Sequence, residues 1–261
     1  MGQYWDFIAD NFQLQQTQLG NPFRGIKLPH SKQGKRLTWR ATYFEDYQDD
    51  IKILLDTPSG YLTPNLRALI IIGMFTGARI EEICDIKKED IKTHYQVRCI
   101  YFSQTKTDRY HKFWQRYIPI APKLNKLIDK LIAESDSDYL INDTIDKYGK
   151  RSHYLSKRFG KHKHRCGFDK KKTHTSQLDE DIEFRDFHSF RTTLNTFLTR
   201  EGIDVVNRSA LLGWNIEGNK SMANEVYLRL EQSYPYSKRL EDVKKIIKLY
   251  PWFNNSYFIN K

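Results

Sequence analysis

The alternation of apolar and polar positions first takes a helical period near Thr42, where Thr42 and Glu45 have the spacing of a capping box ahead of a helix to about Leu55. Thr63 followed by Pro64 marks a second start, because a threonine caps well and proline is tolerated in the first turn. From Leu66 to Phe75 almost every position is apolar, so this helix has no face to offer solvent and is expected to be central and buried. The Thr76–Gly77 step breaks it, and a short helix restarts over Ala78–Ile86. The segments Gln96–Ser103 and Phe113–Ile120 are rich in β-branched and aromatic residues and predict strands, with the polar run QTKTDRYHK as the hairpin loop between them. Pro122 opens a helix carrying Leu124, Leu127, Ile128 and Leu131, and Tyr139–Ile141 predicts a short third strand. Tyr148–His164 reads as a strongly basic helix, and Lys170–Asp181 as a polar loop.

Farther on, Phe190, Leu194, Phe197 and Leu198 follow the i, i+4, i+7, i+8 rhythm of a buried stripe, with Arg200 and then Gly202 where a helix C-terminus favours a cation and a glycine. Ser237–Tyr250 predicts a last amphipathic helix, with Leu240, Val243, Ile246, Ile247 and Leu249 on its apolar side, and an aromatic, Asn-rich tail follows. The expected architecture is α+β but mostly α, with one small antiparallel sheet, in one main domain over residues 37–261. Residues 1–36 differ: after a possible helix over Tyr4–Gln18, the run NPFRGIKLPHSKQGKR is broken by Pro22, Gly25, Pro29 and Gly34 and reads as an extended basic linker. It is expected to follow a missing N-terminal domain; a natural start is the alternative.

Composition narrows the partners. The formal net charge is +11 and the chain has 16 Tyr, 15 Phe and 5 Trp, a combination that favours nucleic acid. An anionic membrane is the rival explanation of the charge, but no apolar run approaches the ~18 residues that span a bilayer, and no signal-peptide pattern opens the chain. Three cysteines, Cys84, Cys99 and Cys166, make no even disulfide framework, so a reducing, cytoplasmic setting is expected.

Four features carry candidate chemistry. His188 and Arg191, three residues apart, share one face of a helix and suit a phosphate. Arg79 follows a helix-breaking glycine beside the core, so it must be paired or face a cleft that takes an anion; Glu82, on the same face, can orient it or simply pair with it. Lys106, in the hairpin loop, can reach a phosphate or donate a proton, or be one solvated charge among 43 Lys and Arg. In KHKHRC, His162, His164 and Cys166 offer three zinc ligands embedded in Lys and Arg, and a solvated, DNA-facing basic helix is the better reading.

Together, TGARIEEICDI, then TKT in a hairpin ending RYIPI, then HSFR, then LLGW, then a tyrosine on a helix, come in the order and approximate spacing of the tyrosine recombinases. The chain resembles the catalytic domain of this phage-integrase family over Leu37–Leu249, and NPFRGIKLP resembles the linker that joins it to an N-terminal core-binding domain. The resemblance implies that Arg79 is the first catalytic arginine, Glu82 its supporting acid and Lys106 the lysine that protonates the leaving 5′ oxygen. His188 and Arg191 match the HxxR pair, and Tyr227 matches the nucleophile. Trp214 stands where many members have a second histidine; its indole N–H can donate to a phosphate oxygen but cannot act as a base. Tyr234 and Tyr236 lie nearby, although Tyr234 directly precedes Pro235, which disfavours a helical setting.

Such a set suits phosphodiester transfer: arginine forks stabilise charge on the non-bridging oxygens, and a phenol of ordinary pKa near 10 needs positive surroundings to ionise. The implied function is a site-specific recombinase that cleaves and rejoins duplex DNA through a 3′-phosphotyrosyl link. No metal or other cofactor is implied, since the sequence has neither the acidic cluster of a two-metal nuclease nor a GxxxxGK[ST] loop. Arg151, Lys157, Arg158, Lys161 and Lys163 are candidate DNA-backbone contacts. The resemblance also suggests a tetramer on DNA in which the C-terminal segment docks onto a neighbour; packing on its own domain is the alternative. An inactive DNA-binding accessory protein and a type IB topoisomerase are the rival functions.

Overall fold

The computed structural model describes residues 35–39, 49–102, 116–168, 171–176, 179–213 and 234–259. Its elements are β1 (Lys35–Arg36), α1 (Asp50–Asp56), α2 (Pro64–Thr76), α3 (Ile80–Cys84), β2 (Ile91–His94), β3 (Val97–Phe102), β4 (Arg116–Pro119), α4 (Asn125–Glu134), α5 (Ser152–Arg165), β5 (Lys171–Ser176), β6 (Asp179–Phe184), α6 (Ser189–Arg200), α7 (Val205–Leu212), α8 (Tyr236–Lys245) and α9 (Ser256–Ile259). The described residues are mostly helical with a small antiparallel sheet, as the pattern predicts, and they contain a second sheet that it does not.

α2 is the hub. The Thr63 hydroxyl accepts from the Leu66 N–H and Pro64 fills the first turn, so the start is set locally. Leu66, Leu69, Ile70, Ile71, Ile72 and Met74 are fully buried. Gly73 lets α6 come close: a Cβ there would sit 2.7 Å from the Phe187 ring. Gly77 ends the helix in the left-handed region, at φ 59°, and a side chain would meet Leu212 at 2.8 Å and the Arg191 backbone at 3.3 Å. The glycine that stops α2 thus also lets the Arg79 turn lie against α6 and α7.

β2, β3 and β4 form an antiparallel meander in which Ile100 faces Ile118 and Tyr101 faces Tyr117. Ile100, Phe102 and Ile118 join the main core, while Val97, Cys99 and Tyr117 meet Tyr236 and Leu240 of α8 on the other face. Both faces are covered, so the pleat positions side chains for two layers at once.

Several expectations need correcting. Tyr139–Ile141 is not a strand: Tyr139 makes an isolated bridge with Lys87, and the third strand of the meander is β2. The stretch Lys170–Asp181 is not a loop, because β5 and β6 form an antiparallel hairpin and β1 joins β6 in parallel, making a second sheet. Its residues lack apolar alternation, and without that alternation a strand leaves little trace in sequence. The helix expected over Thr42–Leu55 is described only from Asp50, where Asp49 caps the N–H groups of Ile51 and Lys52; Thr42 and Glu45 lie outside the described residues.

The C-terminal segment packs on its own domain. Val243, Ile246, Leu249, Tyr250 and Phe253 are buried, and Phe75 of α2 meets the rings of Tyr250 and Phe253 edge-on. Lys123 donates to the carbonyls of Tyr250 and Phe253, Lys130 to that of Phe258, and the Trp252 indole to Asp49 at 2.6 Å. Within the single chain, the segment is thus seated on its own body.

Candidate active site

α6 begins at a local cap. Asp186 accepts from the Ser189 N–H at 3.0 Å while the Ser189 hydroxyl accepts from the Asp186 N–H at 3.0 Å. His188 sits at the turn before the first helical residue, half-buried, and Arg191 follows one turn in. Phe190, Leu194, Phe197 and Leu198, all fully buried, anchor the opposite side of the helix. Arg191 itself is 1% exposed and donates to the Gly213 carbonyl at 2.9 Å, at the C-terminus of α7.

Arg79 stands immediately before α3. Glu82 accepts from the Arg79 backbone N–H at 2.8 Å and from its guanidinium at 2.7 Å, so one carboxylate caps the helix and orients the arginine. The pair predicted from sequence is therefore present, but it is not alone. Arg116, at the start of β4, donates to Glu82 at 2.8 and 3.4 Å with both partners buried. Its guanidinium also lies over the Phe102 ring, 4.6 Å from the centroid.

Electrostatics tie these residues together. Burial alone would raise the Glu82 carboxyl, but the guanidiniums of Arg116 and Arg79 outweigh it and hold it down at about 2. For Arg191, burial and then Arg116 disfavour the charge, with Glu82 opposing and Arg79 adding, which pushes it down to about 9. It remains cationic at neutral pH, in a setting that a bound anion would relieve. His188 is lowered by burial, by Arg36, by Arg191 and by Arg79, against the opposing pull of Asp186, so its neutral imidazole is favoured near pH 7. Arg79 and Arg116 share one carboxylate, with Arg191 within its electrostatic reach and His188 beside them, an arrangement that suits an anionic ligand better than a neutral one.

Arg79, Glu82, His188 and Arg191 are thus brought together. Lys106, Trp214 and Tyr227 lie outside the described residues. Tyr234 does not suit the nucleophile role: it is fully buried, donates to Asp242 at 2.9 Å, and burial and then that carboxylate raise its phenol well above the ordinary range. The basic helix α5 is more committed than its composition implies. Arg151 lies over the Tyr139 ring, Arg158 pairs with Asp143 at 2.9 Å and Lys163 donates to the Arg185 carbonyl at 2.6 Å, while Lys157 and Lys161 are exposed. His162 corrects the reading of KHKHRC as wholly solvated. It is buried, with ring nitrogens 2.7 Å from the Ser59 hydroxyl and 2.7 Å from the Leu54 carbonyl, so it holds α1 to α5.

Sequence reasoning gave no role to Arg116 of RYIPI, Gly213 of LLGW or Arg36 at the end of the basic run. Arg116 has a legible signal: it falls in phase with Ile118, two positions on, and hence on the inward face of β4. Arg36 and Asp186 pair at 3.0 Å across 150 residues of sequence, a contact that no local pattern announces.

The fold has known relatives. A structure of the integrase from mycobacterium phage Brujita superposes with a TM-score of 0.51 at 15% identity, covering 98% of this chain and 72% of that one. A lambda integrase tetramer bound to a Holliday junction gives 0.51 at 18% identity, covering 82% of this chain and 59% of that one. A dimer of lambda integrase(75-356) bound to a COC′ core site gives 0.50 at 18% identity, covering 85% of this chain and 70% of that one. This chain thus spans roughly six- to seven-tenths of the first two of these chains. No curated protein matches the sequence. The family model for phage integrases matches residues 47–233, most of the chain and all of the site described above except Arg36, and the chain belongs to the phage integrase family of tyrosine recombinases.

Proposed function

We propose that this protein is a site-specific DNA recombinase that cleaves and rejoins duplex DNA through a 3′-phosphotyrosyl intermediate. The observation that carries this reading is the convergence of Arg79, Arg191 and a neutral His188 on one site from distant parts of the chain. Arg79 and Arg191 grip the non-bridging oxygens of the scissile phosphate, where charge grows as a fifth oxygen approaches. The Tyr227 phenol attacks phosphorus and passes its proton toward His188, while Lys106 returns a proton to the departing 5′ oxygen. Trp214 donates one further hydrogen bond to the phosphate. The phosphotyrosyl ester conserves the bond energy, so a second 5′ hydroxyl reverses the step without a nucleotide cofactor. DNA-bound dimers and a tetramer of lambda integrase support assembly on duplex DNA here as well, and the exposure of Lys157 and Lys161 on α5 supports their role as backbone contacts.

The test uses nicked duplexes, drawn from a pool of random sequence, that trap the covalent adduct by releasing the 5′ fragment. Wild type and Tyr234→Phe are expected to accumulate adduct and Tyr227→Phe to accumulate none. An adduct that survives Tyr227→Phe overturns the nucleophile assignment. Noncovalent binding with no adduct in any variant favours the inactive accessory protein, and relaxation of supercoiled plasmid without sequence preference favours the topoisomerase.

A further inference from the structure

The residue that joins the Arg79 and His188–Arg191 halves of this site is the arginine that opens RYIPI, a position to which the sequence assigned no role. Arg116 enters from β4, is 4% exposed, and meets both oxygens of Glu82, at 2.8 Å from Nη2 and 3.4 Å from Nη1. Glu82 in turn holds the Arg79 guanidinium at 2.7 Å. On its other side Arg116 abuts Gly213: a Cβ at Gly213 would lie 2.7 Å from the guanidinium carbon and 3.1 Å from Nε. Gly213 has φ 71°, receives Arg191 on its carbonyl, and directly precedes Trp214. One planar fork therefore touches the acid that aims Arg79 and the turn that both receives Arg191 and launches Trp214.

We propose that Arg116 is a positioning residue of the phosphate clamp, an inference that rests on the recombinase reading above. Its fork fixes the Glu82 carboxylate in the rotamer that points Arg79 outward. Without it, Glu82 is free to fold back onto Arg79 and withdraw that guanidinium from the phosphate. Its body is also the wall against which Gly213 turns the chain, which is why a residue without a Cβ stands there. The planar geometry matters as much as the charge, since a lysine offers one point charge and cannot span both carboxylate oxygens.

The experiment compares Arg116→Met, Arg116→Lys and the double variant Glu82→Gln/Arg116→Met with wild type in three measurements. These are melting temperature, the first-order rate of adduct formation on saturating nicked duplexes selected from the random pool, and the Nε–H NMR signal of Arg79. Arg116→Met is expected to slow adduct formation about 100-fold, the scale of a misplaced catalytic group, while affinity for the same DNA changes less than about threefold. Arg116→Lys, and the double variant that leaves no unpaired carboxylate, are expected to regain melting temperature but not rate. The Arg79 signal is expected to shift in all three variants. If rate recovers together with melting temperature in the lysine or double variant, Arg116 only balances charge and the proposal fails. If wild type forms no adduct at all, the recombinase reading fails instead, and the Arg79 signal alone decides: unchanged in Arg116→Met it overturns the positioning role, shifted it upholds it.

Discussion

At the scale of single residues, the site is governed by how charge is shared. Glu82 accepts from the Arg79 backbone and from two guanidiniums, and this concentration of donors holds its carboxyl near 2 despite burial. His188 is moved the other way, toward neutrality, by burial and by the cations Arg36, Arg191 and Arg79. The sign of the consequence is definite. Its folded pKa lies below the ordinary value of about 6.5, so the unfolded chain takes up a proton first as pH falls. The stability linked to His188 is complete above about pH 6.5 and is lost as pH drops through the folded pKa. If neutral His188 accepts the phenolic proton, the acid limb of single-turnover adduct formation lies below pH 6.5. A limb at or above that value, or one unmoved by His188→Gln, removes His188 as the acceptor. Arg79, Glu82, His188 and Arg191 were legible as candidates because each stands at a recognisable helix boundary. Arg116 was not singled out, because an arginine at a strand start is ordinary until its neighbours are known.

At the scale of elements, the caps and stops were the most legible features, and the polar strands the least. Thr63–Pro64, Gly77 and Gly202 act locally, through a hydroxyl, a ring or a missing Cβ, so their effects are written where they stand. Among the described residues, β5 and β6 gain their backbone partners from each other and from β1, about 140 residues earlier, so no window of sequence contains the cause. The C-terminal tail shows the same limit. Its aromatic residues were visible, but their seat on α2 was not: Phe253 is 1% exposed and packs on Phe75 and Trp252. Phe253→Ala is therefore expected to lower the unfolding free energy by about 3–5 kcal/mol, read from urea denaturation. A loss under about 1 kcal/mol would mean that the tail does not belong to the cooperative core.

At the scale of the whole molecule, the excess of positive charge and the convergence of arginines act at different ranges. A net charge of +11 acts on a polyanion from a distance, whereas the proposed role of the buried cluster, holding one phosphate, acts only at contact. Binding to duplex DNA is expected to weaken linearly on a log–log salt plot, by about 0.9 in slope per phosphate contacted. Lys157→Ala on exposed α5 is expected to reduce that slope by about 1 without altering sequence preference. A slope unchanged in Lys157→Ala would place the DNA on another face. The amino-acid sequence by itself determined the mostly helical class, the central apolar helix α2, the caps that start and stop it, and the order of charged residues that marks the family. These are properties of short windows, where backbone geometry and side-chain periodicity act directly. Only the tertiary structure decided that Arg116 shares Glu82 with Arg79, that Tyr234 is sealed against Asp242, that His162 is a buried strut, and that the C-terminal tail closes on its own domain. Each of these depends on burial and on partners far away in the chain, and burial is what turns an ordinary charge or phenol into one with a specific task.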